Sequence, residues 1–146
     1  EDSPKETTLT STDFQLPEGD YWVRSFWDQR VWRAAKGKAF FQECLNSHCS
    51  LLLAVRPVRE THAEYLGSSL HISQGLEVGG WEEGIHSLSI KLSPGRTTQA
   101  NIDLYLPKGL GKANFEEKPV SYEEINDKCY RFMVDISQQG KLNLSY

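Results

Sequence analysis

Nearly every apolar stretch of this chain is short and alternates, and that period of two constrains the fold more than any other feature. In His86-Ser-Leu-Ser-Ile-Lys-Leu92 the apolar set is Leu88, Ile90 and Leu92; in Asn101-Ile-Asp-Leu-Tyr-Leu106 it is Ile102, Leu104 and Leu106. Successive side chains on a strand point to opposite faces, so each segment has one dry face and one wet face. The same pattern predicts strands over 21–26, 30–34, 39–44, 50–55, 65–73, 86–92, 100–106, 129–136 and 141–145. Turn-forming Gly and Pro fall between them, at 17–19, 36–37, 79–80, 93–95, 107–109 and Gly140. The one helix signal is Ser121-Tyr-Glu-Glu124, a capping box that predicts a short helix over 121–128. No strand–helix–strand rhythm and no repeat appears. The expected fold is all-β: an antiparallel β-sandwich or partly closed barrel of about eight or nine strands with that one short helix.

A chain of 146 residues is the usual size of one domain and is long enough to bury a core without metals or several disulfides. The opening segment, 1–13, is polar, rich in Ser and Thr and almost devoid of apolar residues. It reads as a flexible tether, with a single β-sandwich domain over 14–146. Such stretches follow cleavage or lipid-anchoring sites in envelope proteins, a compositional analogy that makes a lipid anchor before Glu1 one reading of the segment without establishing it. The longest apolar run, 51–55, is far too short to cross a bilayer as a helix. The formal net charge is −4, which disfavours nucleic acid as a partner, because phosphate binding needs a net basic face.

The best site candidate lies between Asp20 and Arg33, where three of the four tryptophans are gathered with three arginines. Folded as a hairpin with Phe26 to Asp28 at the tip, this run sets Val23 against Val31, Trp22 against Trp32 and Arg24 against Arg30. The last two pairs share the face opposite the valines. Two arginines in that position repel unless an anion, a carboxylate or a stacked ring lies between them. Such a Trp/Arg platform suits a protein partner, since both residue types anchor binding hot spots, or a sugar, whose rings stack on indoles. The opposing expectation is that Trp22 and Trp32 are core residues. Trp81, set between glycines and beside Glu82 and Glu83, is a second stacking candidate, or else a plug under the end of the sheet.

Cys44 and Cys49 flank a four-residue loop between two predicted strands, where facing Cα atoms suit a disulfide. Cys129 is then left over; the rivals are three reduced thiols or a bridge to Cys129. A bridge favours an oxidising compartment, and with it a secreted, periplasmic or cell-envelope location. His48 lies between Cys44 and Cys49, but no ligand set of four has zinc spacing, so neither a metal nor a cofactor is expected. His62, His71 and His86 are isolated in sequence. Neighbouring acids such as Glu82-Glu83, Glu116-Glu117 and Glu123-Glu124 have the wrong spacing for glycoside hydrolysis. Asn143-Leu-Ser145 fits a glycosylation sequon placed on a strand.

The closing segment from Cys129 to Tyr146 resembles the last hairpin of adhesive pilus subunits, with no specific motif and no residue role implied. The functional expectation is a non-catalytic protein-binding domain: an inhibitor, an immunity-type protein or an assembly accessory. The alternative is a carbohydrate-binding module that stacks a polysaccharide on Trp22, Trp32 and Trp81.

Overall fold

A computed structural model describes residues 3–146. The chain divides into two compact units, one ending at Val58 and the other running from Arg59 to Tyr146, where the sequence suggested one domain. The architecture is all-β and antiparallel, with fourteen strands and a single 3₁₀ turn among the described residues.

In the first unit, β1 (Lys5–Leu9) pairs with β4 (Phe41–Leu45), and β2 (Tyr21–Ser25) lies between β3 (Val31–Ala34) and β5 (Leu53–Pro57). The segment read as a tether therefore contains a strand. Thr7 and Thr8 are β-branched and suit a pleated surface, and they find partners in Glu43 and Gln42. As the central strand, β2 is buried at every position, including Arg24 and Ser25. Tyr21, Val23, Ala34 and Phe40 form the core of this unit, with Trp32, Leu53 and Val55 packed against it.

The second unit is a sandwich. One sheet has the order β11 (Lys118–Pro119), β10 (Lys112–Phe115), β14 (Gly140–Ser145), β8 (Ser87–Leu92), β7 (Val78–Glu83). The other has the order β12 (Ser121–Asn126), β13 (Cys129–Ser137), β9 (Thr97–Tyr105), β6 (Glu64–Ser68). Neither sheet closes into a barrel. The alternation is realised as expected: Leu88, Ile90, Leu92, Ile102, Leu104, Phe132, Ile136 and Leu142 are all buried in one core. Full burial of each such side chain contributes about 1.5–3 kcal/mol relative to exposure.

The expected helix over 121–128 is instead β12 and the turn that follows it. Ser121 pairs with Met133 and Tyr122 with Phe132, and no apolar row at helical spacing competes with that ladder. Glu124 does not reach back to cap a helix; its carboxylate accepts the Lys128 N–H at 3.0 Å, within the turn where Lys128 takes φ 55°.

Candidate functional site

The Asp20–Arg33 run does form a hairpin, but one residue out of the expected register. Val23 faces Trp32, Trp22 faces Arg33 and Arg24 faces Val31. The cause lies in the turn. The Ser25 N–H donates to the Arg30 carbonyl at 2.9 Å, which leaves a four-residue tip from Phe26 to Gln29 rather than three, with Gln29 in the left-handed region at φ 55°. A slip of one residue moves every side chain of the second strand to the other face. The paired-arginine platform therefore does not form.

Trp22 and Arg24 are 3% and 1% exposed, so neither offers a surface to a ligand. Trp32 is half-buried, and its indole N–H donates to the Phe40 carbonyl at 2.8 Å. Arg30 is the one expected arginine that reaches solvent, and it is already engaged. Its guanidinium donates to Asp28 at 2.7 Å and to Glu43 at 2.9 Å, and stands 5.2 Å from the centre of the Trp32 ring. Burial pushes the Asp28 carboxyl up, but hydrogen bonds from the Ser25 hydroxyl, the Arg30 amide and the Arg30 side chain outweigh it and hold Asp28 below its ordinary value. On the same sheet, Arg33 donates to Asp20, which also accepts the Lys36 amide at 2.9 Å. Trp81 belongs to the second unit, where it sits on β7 and packs against the sandwich core. Within the first unit, Trp22, Arg24, Arg30 and Trp32 thus do not form a shared exposed platform.

The residues that do stand out were not singled out by the sequence. Trp27, at the hairpin tip, is 59% exposed and meets Phe26 edge-on at 5.0 Å. Phe14 and Leu16 are also exposed, and with Leu9, Leu51, Leu53 and Val55 they line an apolar groove of about 420 Å³ in the same unit. The available signal was the Phe26-Trp-Asp28 tip itself, because an aromatic at a hairpin turn has no sheet beneath it.

No disulfide joins Cys44 to Cys49. The strand that carries Cys44 pairs with β1, placing Cys44 opposite Glu6, while β5 pairs with β2. The two cysteines therefore do not lie across a shared ladder, and all three thiols are free. Burial, followed by the nearby carboxylates Asp103, Asp127 and Glu124, pushes the Cys129 thiol far up, so it stays protonated and unreactive.

A buried acid network lies in the second unit. Glu77, 3% exposed, accepts the Tyr65 hydroxyl at 2.6 Å and the Ser68 hydroxyl on the same oxygen. Gln74 ties the adjoining loop to the Ser68 and His71 carbonyls. The second Glu77 oxygen is closed to solvent and has no hydrogen-bond partner among the described residues. Among the described residues no group of three or more His, Cys, Asp or Glu is placed to hold a metal ion, and no helix is long and apolar enough to cross a membrane. No protein-family model and no curated protein matches the chain.

Proposed function

We propose that the chain is a non-catalytic protein-binding domain whose contact surface is the tip of the β2–β3 hairpin. The observation that carries this reading is Trp27. A tryptophan 59% exposed at a hairpin turn, next to Phe26 and beside the Arg30–Asp28–Glu43 ion pairs, has the composition of a hot spot: an aromatic anchor with charged groups at its rim. Large aromatics left in water cost solubility, and a partner that covers Trp27 removes that cost. A polysaccharide is the less supported ligand, because Trp22 is buried and one face of Trp32 carries the Arg30 guanidinium. With the cysteines unbridged, no bond in the fold requires an oxidising compartment, and the surface needs none.

The test is retention of a defined protein from the source organism's extract on the immobilised chain, compared with retention on Trp27→Ala. The expected outcome is one stoichiometric partner whose retention falls at least about tenfold in the variant, since truncating a hot-spot tryptophan costs about 2 kcal/mol or more. Equal retention on both chains rejects the tip. Quenching of tryptophan fluorescence by an oligosaccharide panel, lost in Trp27→Ala, replaces the protein partner by a sugar.

A further inference from the structure

The first unit has a sheet edge whose unpaired backbone groups are self-complementary. Strand β5 ends the order β3-β2-β5 and is tied to the neighbouring chain by alternate residues only. The Phe26 N–H donates to the Leu52 carbonyl at 3.0 Å, and the Val58 N–H donates to the Asp20 carbonyl at 2.9 Å. Bonded and non-bonded pairs alternate along an antiparallel ladder. With Arg24 opposite Ala54 and Trp22 opposite Arg56, residues 54 and 56 therefore turn their N–H and C=O groups toward β2. The same groups of Leu53 and Val55 point out of the sheet, and neither residue has another backbone partner among the described residues. Pro57 follows at the next outward position, where its missing N–H ends the row of donors.

We propose that the chain forms a two-fold dimer by antiparallel pairing of β5 with β5 of a second copy, with the axis passing between the two Ala54 residues. In this register the Leu53 N–H donates to the carbonyl of the partner's Val55, and the N–H of the partner's Val55 donates to the Leu53 carbonyl. The symmetric pair repeats this, so four bonds satisfy every outward donor on the two strands before proline intervenes. The axis is normal to the sheet and keeps Leu53 and Val55 of both copies on one face, where they extend the apolar groove that these residues share with Phe14 and Leu16. Arg56 falls opposite Leu52 of the partner subunit rather than opposite another arginine, so no like charges meet across the seam. A second copy thus fits in backbone pairing, side-chain character and charge at once.

The test combines sedimentation equilibrium with amide hydrogen exchange over a range of concentrations of the full chain. Wild type is expected to show a monomer–dimer equilibrium. The Leu53 and Val55 amides should gain protection as concentration rises, while those of Ala54 and Arg56, bonded to β2, stay protected throughout. Val55→Pro removes an outward N–H without removing a β2–β5 bond and is expected to give a monomer. If it fails to fold, the alternation of protection in wild type still decides. A wild-type chain that remains monomeric up to its solubility limit overturns the dimer. So does exchange at Leu53 and Val55 that is independent of concentration, or a dimer that persists in a folded Val55→Pro. Trp27→Ala should leave the association unchanged, so the failure of either surface is distinguishable from failure of the other.

Discussion

Asp28 gains two neighbours from the hairpin turn, and they decide its titration. Arg30 donates to it through both the amide and the guanidinium, at 3.3 and 2.7 Å. Burial favours the protonated acid, but these bonds and the one from the Ser25 hydroxyl favour the carboxylate more, so the folded-state value lies below that of an ordinary aspartate. The sign for stability follows by linkage. A depressed acid stabilises the fold above its unfolded value, about 3.9, and loses that contribution as pH falls through the folded value. Asp28 should therefore titrate below the normal aspartate range when followed by carboxyl NMR, and Arg30→Gln should move its midpoint upward. A midpoint at or above the ordinary value in the intact chain would mean that the ion pair does not hold the tip. Composition showed that arginines and aromatics were concentrated here. It could not show that Arg30 would turn to Asp28 and Glu43 instead of facing Arg24, because that depends on the register.

Register is a property of the element, and here it turned on whether the hairpin tip holds three residues or four. Alternation made the strands of the sandwich legible, since buried side chains recur at every second position along β8 and β14 and from Phe132 to Ile136 of β13, while in β9 the row Ala100, Ile102 and Leu104 is joined by Asp103 and Tyr105, buried on the other face. Turn length leaves no comparable trace in composition, and a left-handed Gln29 is not something a glutamine announces. The capping box at Ser121 misled for a related reason: residues 121–126 pair with β13 as a strand, and Glu124 serves the turn that follows instead of a helix N-terminus. Gly140 carries an element-scale consequence. A Cβ built there would lie 2.1 Å from the Phe115 ring carbon Cζ, so the ring of β10 rests on the bare backbone of β14, an aromatic covering a glycine within one sheet. Gly140→Ala should destabilise the chain by about 1–3 kcal/mol, the usual cost of overpacking, as read by urea denaturation. Adding Phe115→Leu should recover part of that loss. If Gly140→Ala is neutral, the ring does not occupy that position.

At the scale of the whole molecule, hydrophobic burial is unequal. The sandwich core gathers sixteen buried residues, whereas the core of the first unit gathers four. Buried apolar area sets the driving force, and a unit of about 60 residues buries only about 60% of its unfolded surface. The division was not legible in the sequence, because the boundary at Val58 falls in a short connection, 58–63, between two strands, which contains neither Gly nor Pro and is no longer than an ordinary loop. The first unit also keeps Arg24 and Trp22 on its central strand, and burying polar groups offsets part of what its few aliphatic side chains contribute. The two units should therefore not melt as one. Trp22, Trp27 and Trp32 report on the first unit and Trp81 alone on the second, so tryptophan emission is weighted toward the smaller core. On heating, most of the emission change should precede the loss of far-ultraviolet β signal, and the residue 59–146 fragment alone should retain that signal with a cooperative transition. Coincident transitions by both probes, together with an unfolded 59–146 fragment, would show that the units share a single cooperative core.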